Sequence, residues 1–257
     1  MTALNISLAA EPIFHIGSFP VTNSMLGSLV AAGALMLLAR AIGKRTKAKP
    51  GKLQAGAELV IEFLLNLMDG VTNDHQKSKK FFPIIATIFL FVVTMNWFGL
   101  IPLFGTIGLR EVVEGHKVLI PFLRAGTADL NMTIAIALIS QVAAQVFGTI
   151  YVGGKQYLKK FFNPNPTFTF VGLIEFISEF TKVISFSFRL FGNVFAGEVL
   201  LLVISNLVPY VAPIPFYFLE LFVGLIQGFV FALLTLVFFT IAATSHEHEE
   251  GTAEAAH

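Results

Sequence analysis

The sequence contains no cysteine and only one tryptophan among its 257 residues. The absence of cysteine excludes disulfide bonds and thiolate metal sites. Charged residues are also scarce, at 13% of the chain against roughly 25% in soluble domains. The formal net charge of +1 gives no indication of a nucleic-acid partner. With 55% hydrophobic residues and a mean hydropathy of +0.78, a chain of this length cannot hide its apolar surface from water, which predicts an integral protein of the lipid bilayer.

Two further absences narrow the interpretation. No internal repeat is visible along the chain, so the sequence gives no direct support to a transporter built from inverted repeats. Residues 1–20 lack both a positively charged start and a clean apolar run. We therefore predict an N-terminal segment that is not a cleaved signal peptide.

Five apolar segments are long enough to cross a bilayer, which takes about 20 helical residues. They lie at 21–42, 81–104, 130–152, 167–207 and 210–244. Residues 53–72 differ, because their apolar residues recur at helical spacing while acidic and amide residues occupy the other side. This pattern predicts an amphipathic helix on the membrane surface. The predicted fold is all-α, with residues 1–257 forming a single polytopic membrane domain.

The last two apolar segments are predicted to form a long, tilted helical hairpin. Residues 167–207 contain no proline, and a continuous helix of that length measures about 60 Å. The hydrocarbon core is only about 30 Å thick, so such a helix must tilt by roughly 60° or lie partly in the membrane plane. A break at Gly192 or Gly197 is the alternative. A short proline-containing turn joins this helix to 210–244, which predicts antiparallel packing.

The distribution of basic residues predicts the orientation. Five crossings place residues 40–80, residues 153–166 and the C-terminus on one side. The loops 40–80 and 153–166 together hold twelve of the seventeen Lys and Arg residues. The loop on the other side, 105–128, holds three. The positive-inside rule then puts the C-terminus in the cytoplasm and the N-terminus outside. Residues 245–257 are predicted to be an acidic, solvated tail.

Two cationic residues, Lys182 and Arg189, lie inside the first helix of the hairpin. A charge within a bilayer costs at least about 2.5 kcal/mol, and arginine cannot avoid this cost by losing its proton. A partner, water or a function must therefore account for Arg189. We predict that it is the centre of an ion-translocation pathway.

Helical spacing of about 100° per residue sorts the polar residues around Arg189. Glu198 lies nine residues further on and points about 180° away from it. Small residues beside the arginine would let another helix approach closely. One stripe of the helix carries Glu175, Ser178, Lys182, Ser185, Arg189 and Asn193.

Other polar residues are candidates for the same pathway. The partner helix carries Glu220 and Gln227, and the third span carries Asn131, Gln141 and Gln145. Structural alternatives stay open for several of them. The two glutamines of the third span suit interhelical hydrogen bonding as well as channel lining. Lys182 and Glu175 suit a structural ion pair, and Glu198 and Glu220 suit a buried salt bridge with Arg189.

The run Ser185-Phe-Ser-Phe-Arg-Leu-Phe-Gly-Asn-Val-Phe-Ala-Gly-Glu198 resembles the signature of subunit a of rotary ATP synthases. The segments Ala128-Asp-Leu-Asn-Met-Thr133 and Phe19-Pro-Val-Thr-Asn23, together with Gln227, are also similar to that family. The likeness covers nearly the whole chain.

The resemblance implies a stator subunit beside a ring of c subunits, with peripheral-stalk b subunits and the remainder of the ATP synthase as further partners. It implies two offset aqueous half-channels, with Arg189 as the essential arginine and Asn193 as its neighbour. Glu198, Glu220 and Gln227 are implied to surround the channel, although some relatives hold histidine at the position of Glu220. The implied location is a bacterial inner membrane.

The chain has no glycine-rich loop of the phosphate-binding pattern. We therefore expect no catalysis by this chain alone, and neither a cofactor nor a metal. An autonomous ion-coupled transporter or channel is the competing hypothesis, and a purely structural scaffold is a third. Proton and sodium remain alternative ions, because a sodium site would draw its oxygen ligands largely from the ring.

Overall fold

A computed structural model describes residues 10–43, 51–101, 108–113, 116–161 and 166–244. Some sequence predictions fall outside these residues. They include residues 1–9 of the N-terminal segment, residues 44–50 of the basic loop 40–80, the end of the second predicted span at 102–104 and the acidic tail at 245–257.

Seven α-helices make up most of the described chain. They are α1 (Asn23–Gly43), α2 (Lys52–Thr72), α3 (His75–Gly99), α4 (Leu130–Val152), α5 (Gly154–Phe161), α6 (Pro166–Leu207) and α7 (Pro213–Ala242). Five of them, α1, α3, α4, α6 and α7, are long and apolar enough to cross a membrane. The predicted fold class, an all-α integral membrane protein, is confirmed.

Four short strands were not predicted. The strands β1 (Pro12–Ile16) and β2 (Phe19–Thr22) form one antiparallel hairpin before α1. A second hairpin, β3 (Gly108–Val113) with β4 (His116–Pro121), lies in the connection between α3 and α4. The first hairpin lies mostly in the N-terminal segment and includes the first two residues of the predicted span 21–42, and the second lies in the loop 105–128. Neither was predicted, because four to six residues are too few to give a clear alternating pattern.

The helix α3 begins at His75, six residues before the predicted start of the second span. The reason is a helix cap that periodicity does not reveal. Asp74 has extended backbone angles, and its side chain accepts hydrogen bonds from the backbone N–H groups of Gln76 and Lys77. These donors would otherwise be unsatisfied at the helix start. The cap thus lets the helix begin in its polar first turn, before the apolar run.

The helix α6 runs without interruption for 42 residues, which corresponds to about 63 Å. The alternative of a break at Gly192 or Gly197 is therefore wrong. The turn to α7 contains Tyr210 with a φ of +78°. Pro213 then occupies the first turn of α7, where its missing N–H costs no intrahelical hydrogen bond.

Two apolar clusters hold the helices together. In the first, the ring of Phe81 on α3 meets the rings of Phe147 and Tyr151 on α4 and of Phe239 on α7. Residues of α2 also belong to this cluster. The second cluster joins α3, α4, α6 and α7 around the fully buried Leu190. The second cluster fixes the rotation of α6 about its own axis, and so determines where Arg189 points.

Candidate ion-translocation site

Arg189 lies on the outer surface of the helix bundle. Its neighbours Phe186 and Leu190 are buried in the second apolar cluster, and the ring of Phe186 packs against Phe231 of α7. Because these residues face inward, α6 presents Arg189 on its exposed side. Phe188 is 55% exposed on the same side. An arginine within an apolar surface of this kind implies a partner beyond the chain or access to water.

Within the described residues, Arg189 has no carboxylate partner. Its Nη2 atom donates a long hydrogen bond of 3.4 Å to the hydroxyl of Ser185, one turn earlier. Its guanidinium carbon lies 5.9 Å from the centre of the Phe186 ring. Neither Glu198 nor Glu220 pairs with Arg189 in this part of the chain, so the alternative of a buried salt bridge is not observed.

Asn193, one turn after Arg189, connects the two hairpin helices. Its side-chain Nδ2 donates to Oε1 of Gln227 on α7, at 2.7 Å. Gly224 and Gly228 flank Gln227 on that helix and lie closely against Asn96 and Val93 of α3. The small residues thus allow α3 and α7 to approach, as expected for membrane helices.

Both carboxylates of the hairpin, Glu198 and Glu220, open onto one cleft. We refer to it as the carboxylate cleft. Its lining residues are Asn96, Gly99, Leu100, Asn193, Val194, Glu198, Glu220, Val223, Gly224 and Gln227. The cleft is large enough to admit water. Glu198 lies nine residues beyond Arg189 on α6, or about 14 Å along the helix axis.

Gly197 makes room for the carboxyl group of Glu220. A side-chain carbon at position 197 would collide with the Glu220 carboxyl group. Apart from this contact, Glu220 accepts no hydrogen bond and forms no ion pair within the described residues. Gly197 is buried, and its lack of a side chain lets the carboxyl group of Glu220 pack directly against the backbone of α6.

Glu198, by contrast, has a cationic partner. Its Oε2 atom lies 3.1 Å from Nη2 of Arg124, a residue of the segment between β4 and α4. The sequence analysis counted Arg124 only as a loop charge. No sequence signal predicts this pair, because its members are 74 residues apart.

Two polar atoms at the carboxylate cleft have no protein hydrogen bond in the described structure. They are Oδ1 of Asn96 and Nε2 of Gln227. The other amide atoms of these side chains are bonded, Asn96 Nδ2 to the carbonyl of Gly224 and Gln227 Oε1 to Asn193. An unsatisfied buried polar atom costs about 1–3 kcal/mol. Hydration of the carboxylate cleft is therefore favoured.

A second polar group lies on the other side of Arg189. We call it the Glu179 cluster, and it consists of Gln141, Gln145, Tyr157, Glu179 and Lys182. Both glutamines of α4 donate their Nε2 groups to Oε2 of Glu179, Gln145 at 2.9 Å. The ammonium of Lys182 lies 2.7 Å from the other oxygen. Glu179 is ten residues before Arg189, or about 15 Å along the axis.

Tyr157 of α5 completes the Glu179 cluster. Its hydroxyl donates to Oε1 of Gln145, and its ring lies closely against Gly148 of α4. Burial, followed by the negative charges of Glu179 and Glu175, raises the pKa of Tyr157 to about 12. The phenol therefore stays protonated and remains a donor near neutral pH.

The remaining predicted site residues occupy different places. Asn131 is exposed at the start of α4 and does not line the carboxylate cleft. Ser185 is exposed beside Arg189. Glu175 lies one turn before Glu179 on α6. Lys182 pairs with Glu179 rather than with Glu175 as the structural alternative supposed.

Glu179 is a residue that the sequence analysis missed. Its three-residue spacing from Lys182 is a signal for an ion pair along a helix, and this signal could have identified it. Of the two alternatives for Gln141 and Gln145, the contacts with Glu179 favour interhelical hydrogen bonding. Among the described residues, no group of three His, Asp or Glu side chains could hold a metal ion.

Comparison with known proteins identifies the family. A family model described as ATP synthase A chain matches residues 25–240. ATP synthase subunit a of Moorella thermoacetica (strain ATCC 39073 / JCM 9320) is 30% identical over 240 residues, which cover 92% of this chain and 96% of that relative. The chain therefore belongs to the ATP synthase subunit a family, an integral membrane component of the proton-translocating ATP synthase complex.

Proposed function

We propose that this chain is the stator subunit that couples proton flow to rotation of a ring of c subunits, and thereby to ATP synthesis. Arg189 is the essential cation that faces the ring carboxylates. The observation that carries the proposal is the position of Arg189. It is exposed on α6, it has no acidic partner among the described residues, and it lies between Glu179 and Glu198 on the same helix.

The carboxylate cleft is proposed as the half-channel that is open to the outer side. Under the predicted topology, the end of α6 that carries Glu198 and the start of α7 that carries Glu220 face outward. Carboxylates beside water can take up and release protons. The unsatisfied amide atoms of Asn96 and Gln227 favour water in the cleft. Asn193 and Gln227 form its boundary towards Arg189.

The second half-channel is proposed along the stripe of α6 that carries Glu175 and Ser185, between this helix and the ring. Gln141 and Gln145 would form the wall behind it through their bonds to Glu179. The two half-channels then end at different heights, with Arg189 between them.

The electrostatics follow from a fixed charge. A ring carboxylate that approaches Arg189 is stabilised in its ionised form, so its proton leaves into one half-channel. The carboxylate must take up a proton from the other half-channel before it can face lipid, because an unpaired charge there is costly. Arg189 also repels protons and so separates the two half-channels. Each charge that crosses the full potential contributes about 2.3 kcal/mol per 100 mV.

The proposal also includes the partner subunits and the membrane in which the chain resides. The ring of c subunits lies against the exposed face of α6, and peripheral-stalk b subunits contact the chain elsewhere. The complex resides in a bacterial inner membrane, with the N-terminus outside and the C-terminus in the cytoplasm. Co-purification with a two-helix proteolipid would separate this function from an autonomous transporter, which needs no ring.

The decisive experiment replaces Arg189. In assembled complexes reconstituted into vesicles, Arg189→Ala should abolish ATP-driven proton uptake and open a passive proton leak, since the barrier between the half-channels is lost. Arg189→Lys should be severely impaired, because lysine is shorter and loses its proton when desolvated.

Lys182→Gln is the matched control on the same helix. It removes a cation that is already paired with Glu179 and leaves Arg189 in place, so no passive proton leak should open. Normal ATP-driven pumping by Arg189→Ala would refute the proposed function and leave Arg189 as a structural residue.

A further inference from the structure

Arg124 reaches the carboxylate cleft from a connecting segment, although it does not belong to the hairpin helices. It follows β4 and precedes a single 3₁₀ turn at Gly126–Ala128, which leads into α4. Its side chain is 12% exposed, against 28% for Glu198. An arginine that is so well covered on a connecting segment requires a specific acceptor.

The segment that carries Arg124 is held firmly against α1. The backbone N–H of Arg124 donates to the carbonyl of Asn23 at 3.4 Å. Gly27 lies directly against the carbonyl of Arg124, where any side chain would collide. Five residues further on, Asp129 accepts a hydrogen bond of 2.6 Å from the hydroxyl of Ser24. The guanidinium therefore extends from an anchored backbone.

The contact with Glu198 is asymmetric. Both Nε, at 3.3 Å, and Nη2, at 3.1 Å, donate to the same carboxylate oxygen, Oε2. No described residue donates to Oε1. A symmetric fork would occupy both oxygens. The observed geometry instead fixes the carboxylate through one oxygen and leaves the other available to water in the cleft.

Among the residues whose side chains the structure describes, few charged groups lie near Glu198. Glu220 of α7 lines the same cleft, Asp129 is bonded to Ser24, and Arg189 lies nine residues earlier on α6. The charged residues of α1 and α3 in the described chain lie at the opposite ends of those helices. Among these described residues, Arg124 is thus the cation in direct contact with Glu198.

We propose that Arg124 is a positioning residue of the proton pathway, which holds Glu198 by Oε2 so that Oε1 exchanges protons with water in the carboxylate cleft. This inference rests on the proposed function, because it assigns a task within the same half-channel. Arg124 carries no proton itself, since arginine stays protonated in proteins. It sets the orientation of Glu198 and its readiness to take up a proton.

The test uses the complete ATP synthase in vesicles, with ATP synthesis measured against the pH on the outer side while the inner pH is held constant. A carboxylate that loses a guanidinium partner takes up a proton more readily. Arg124→Gln should therefore move the midpoint of this profile to higher pH, by on the order of one pH unit for a lost charge-assisted hydrogen bond. Arg124→Lys keeps a positive charge near Glu198, so its midpoint should lie much closer to that of the parent.

Ser24→Ala is the matched control. It removes a hydrogen bond that anchors the same segment but leaves the ion pair with Glu198 in place. A purely structural role for Arg124 predicts that both variants lower the yield of assembled complex and leave the midpoint unchanged. The proposal predicts a shifted midpoint for Arg124→Gln alone.

A double variant that combines Arg124→Gln with Glu198→Gln tests whether Arg124 acts through Glu198. In the background of Glu198→Gln, Arg124→Gln should cause no further shift, because its target has lost its charge. An equal shift in that background, or none in the single variant, would overturn the proposal. If Arg124→Gln fails to assemble, Arg124→Lys is used in its place. A smaller shift of the midpoint is then expected, and an unchanged midpoint would contradict the proposal. Loss of pumping in Arg189→Ala without any shift in the Arg124 variants would reject this inference alone.

Discussion

The carboxylate cleft and the Glu179 cluster surround their partly buried carboxylates with opposite kinds of contacts. In the Glu179 cluster, two amide groups and one ammonium donate to a single carboxylate. In the carboxylate cleft, Glu220 has no polar partner among the described residues, and Glu198 has one cation bound to one oxygen. The two regions lie at similar distances from Arg189 along α6, so their difference is not a matter of depth.

The contrast indicates that one carboxylate site stabilises the packing of helices and the other transfers protons. A carboxylate that accepts several charge-assisted hydrogen bonds resists protonation and rigidifies its surroundings. A carboxylate beside a hydrated cleft can change its protonation state. We therefore infer that the Glu179 cluster fixes α4, α5 and α6 to one another, whereas the carboxylate cleft exchanges protons. Each of the following predictions tests one side of this difference.

Among the variants that test this contrast, the largest effect is expected at Glu220. Glu220→Gln keeps the shape of the side chain and removes its ability to carry a proton, so proton flux should fall by at least about tenfold. Glu198→Gln should also slow the flux. Passive and ATP-driven proton flux per assembled complex are the measurements, with immunoblotting of the purified complex to establish assembly. Unchanged flux in both single variants and in the double variant would remove both carboxylates from the pathway.

A smaller loss is expected at Gly197, where an added methyl group collides with the Glu220 carboxyl group. Gly197→Ala should displace that group and lower proton flux roughly threefold to tenfold. The stability of the isolated helix should not fall, because alanine is the better helix former by about 1 kcal/mol.

Gly70→Ala is the control, since a methyl group at that position of α2 meets no atom within 4 Å other than the nearby backbone of its own helix. Equal flux in the two alanine variants would show that the fit between Gly197 and Glu220 has no role in conduction.

The sequence predicts the helical part of this architecture well, because apolar runs of membrane length are strong signals. The family resemblance also placed Arg189, Asn193, Glu198, Glu220 and Gln227 near one another before any contact was known. Four of these residues, all but Arg189, line the carboxylate cleft.

The pairing of charges could not be predicted in the same way. The contact between Arg124 and Glu198 joins a connecting segment to a helix 74 residues away, and no local spacing encodes it. The short strands and the helix α5 were also missed, because brief elements carry little periodicity. An ion pair between Lys182 and Glu175 was one open alternative, but side chains three residues apart on a helix are also neighbours, and Lys182 pairs with Glu179.

On the other side of the comparison, Glu179→Gln should affect stability more than conduction. It removes an ion pair with Lys182 and weakens two amide hydrogen bonds. The side chain of Glu179 is only 15% exposed, so a loss of about 1.5–3 kcal/mol is expected. Thermal inactivation of the assembled complex is the measurement. A fall in proton flux per complex as large as that of Glu220→Gln would show that Glu179 conducts rather than holds.

The smallest effect is expected for Tyr157→Phe. The ring would keep its place against Gly148, and the change removes the hydroxyl group with its bond to Gln145. The cost should be about 0.5–1.5 kcal/mol, visible as a slightly lower midpoint of thermal inactivation. The pKa of Tyr157 is raised to about 12, above the value of about 10 for free tyrosine. The phenol therefore carries no charge between about pH 6 and about pH 9. The difference in stability between the variant and the parent should accordingly stay constant across that range. A difference that changes with pH would mean that Tyr157 exchanges its proton, and the Glu179 cluster would then resemble the carboxylate cleft rather than contrast with it.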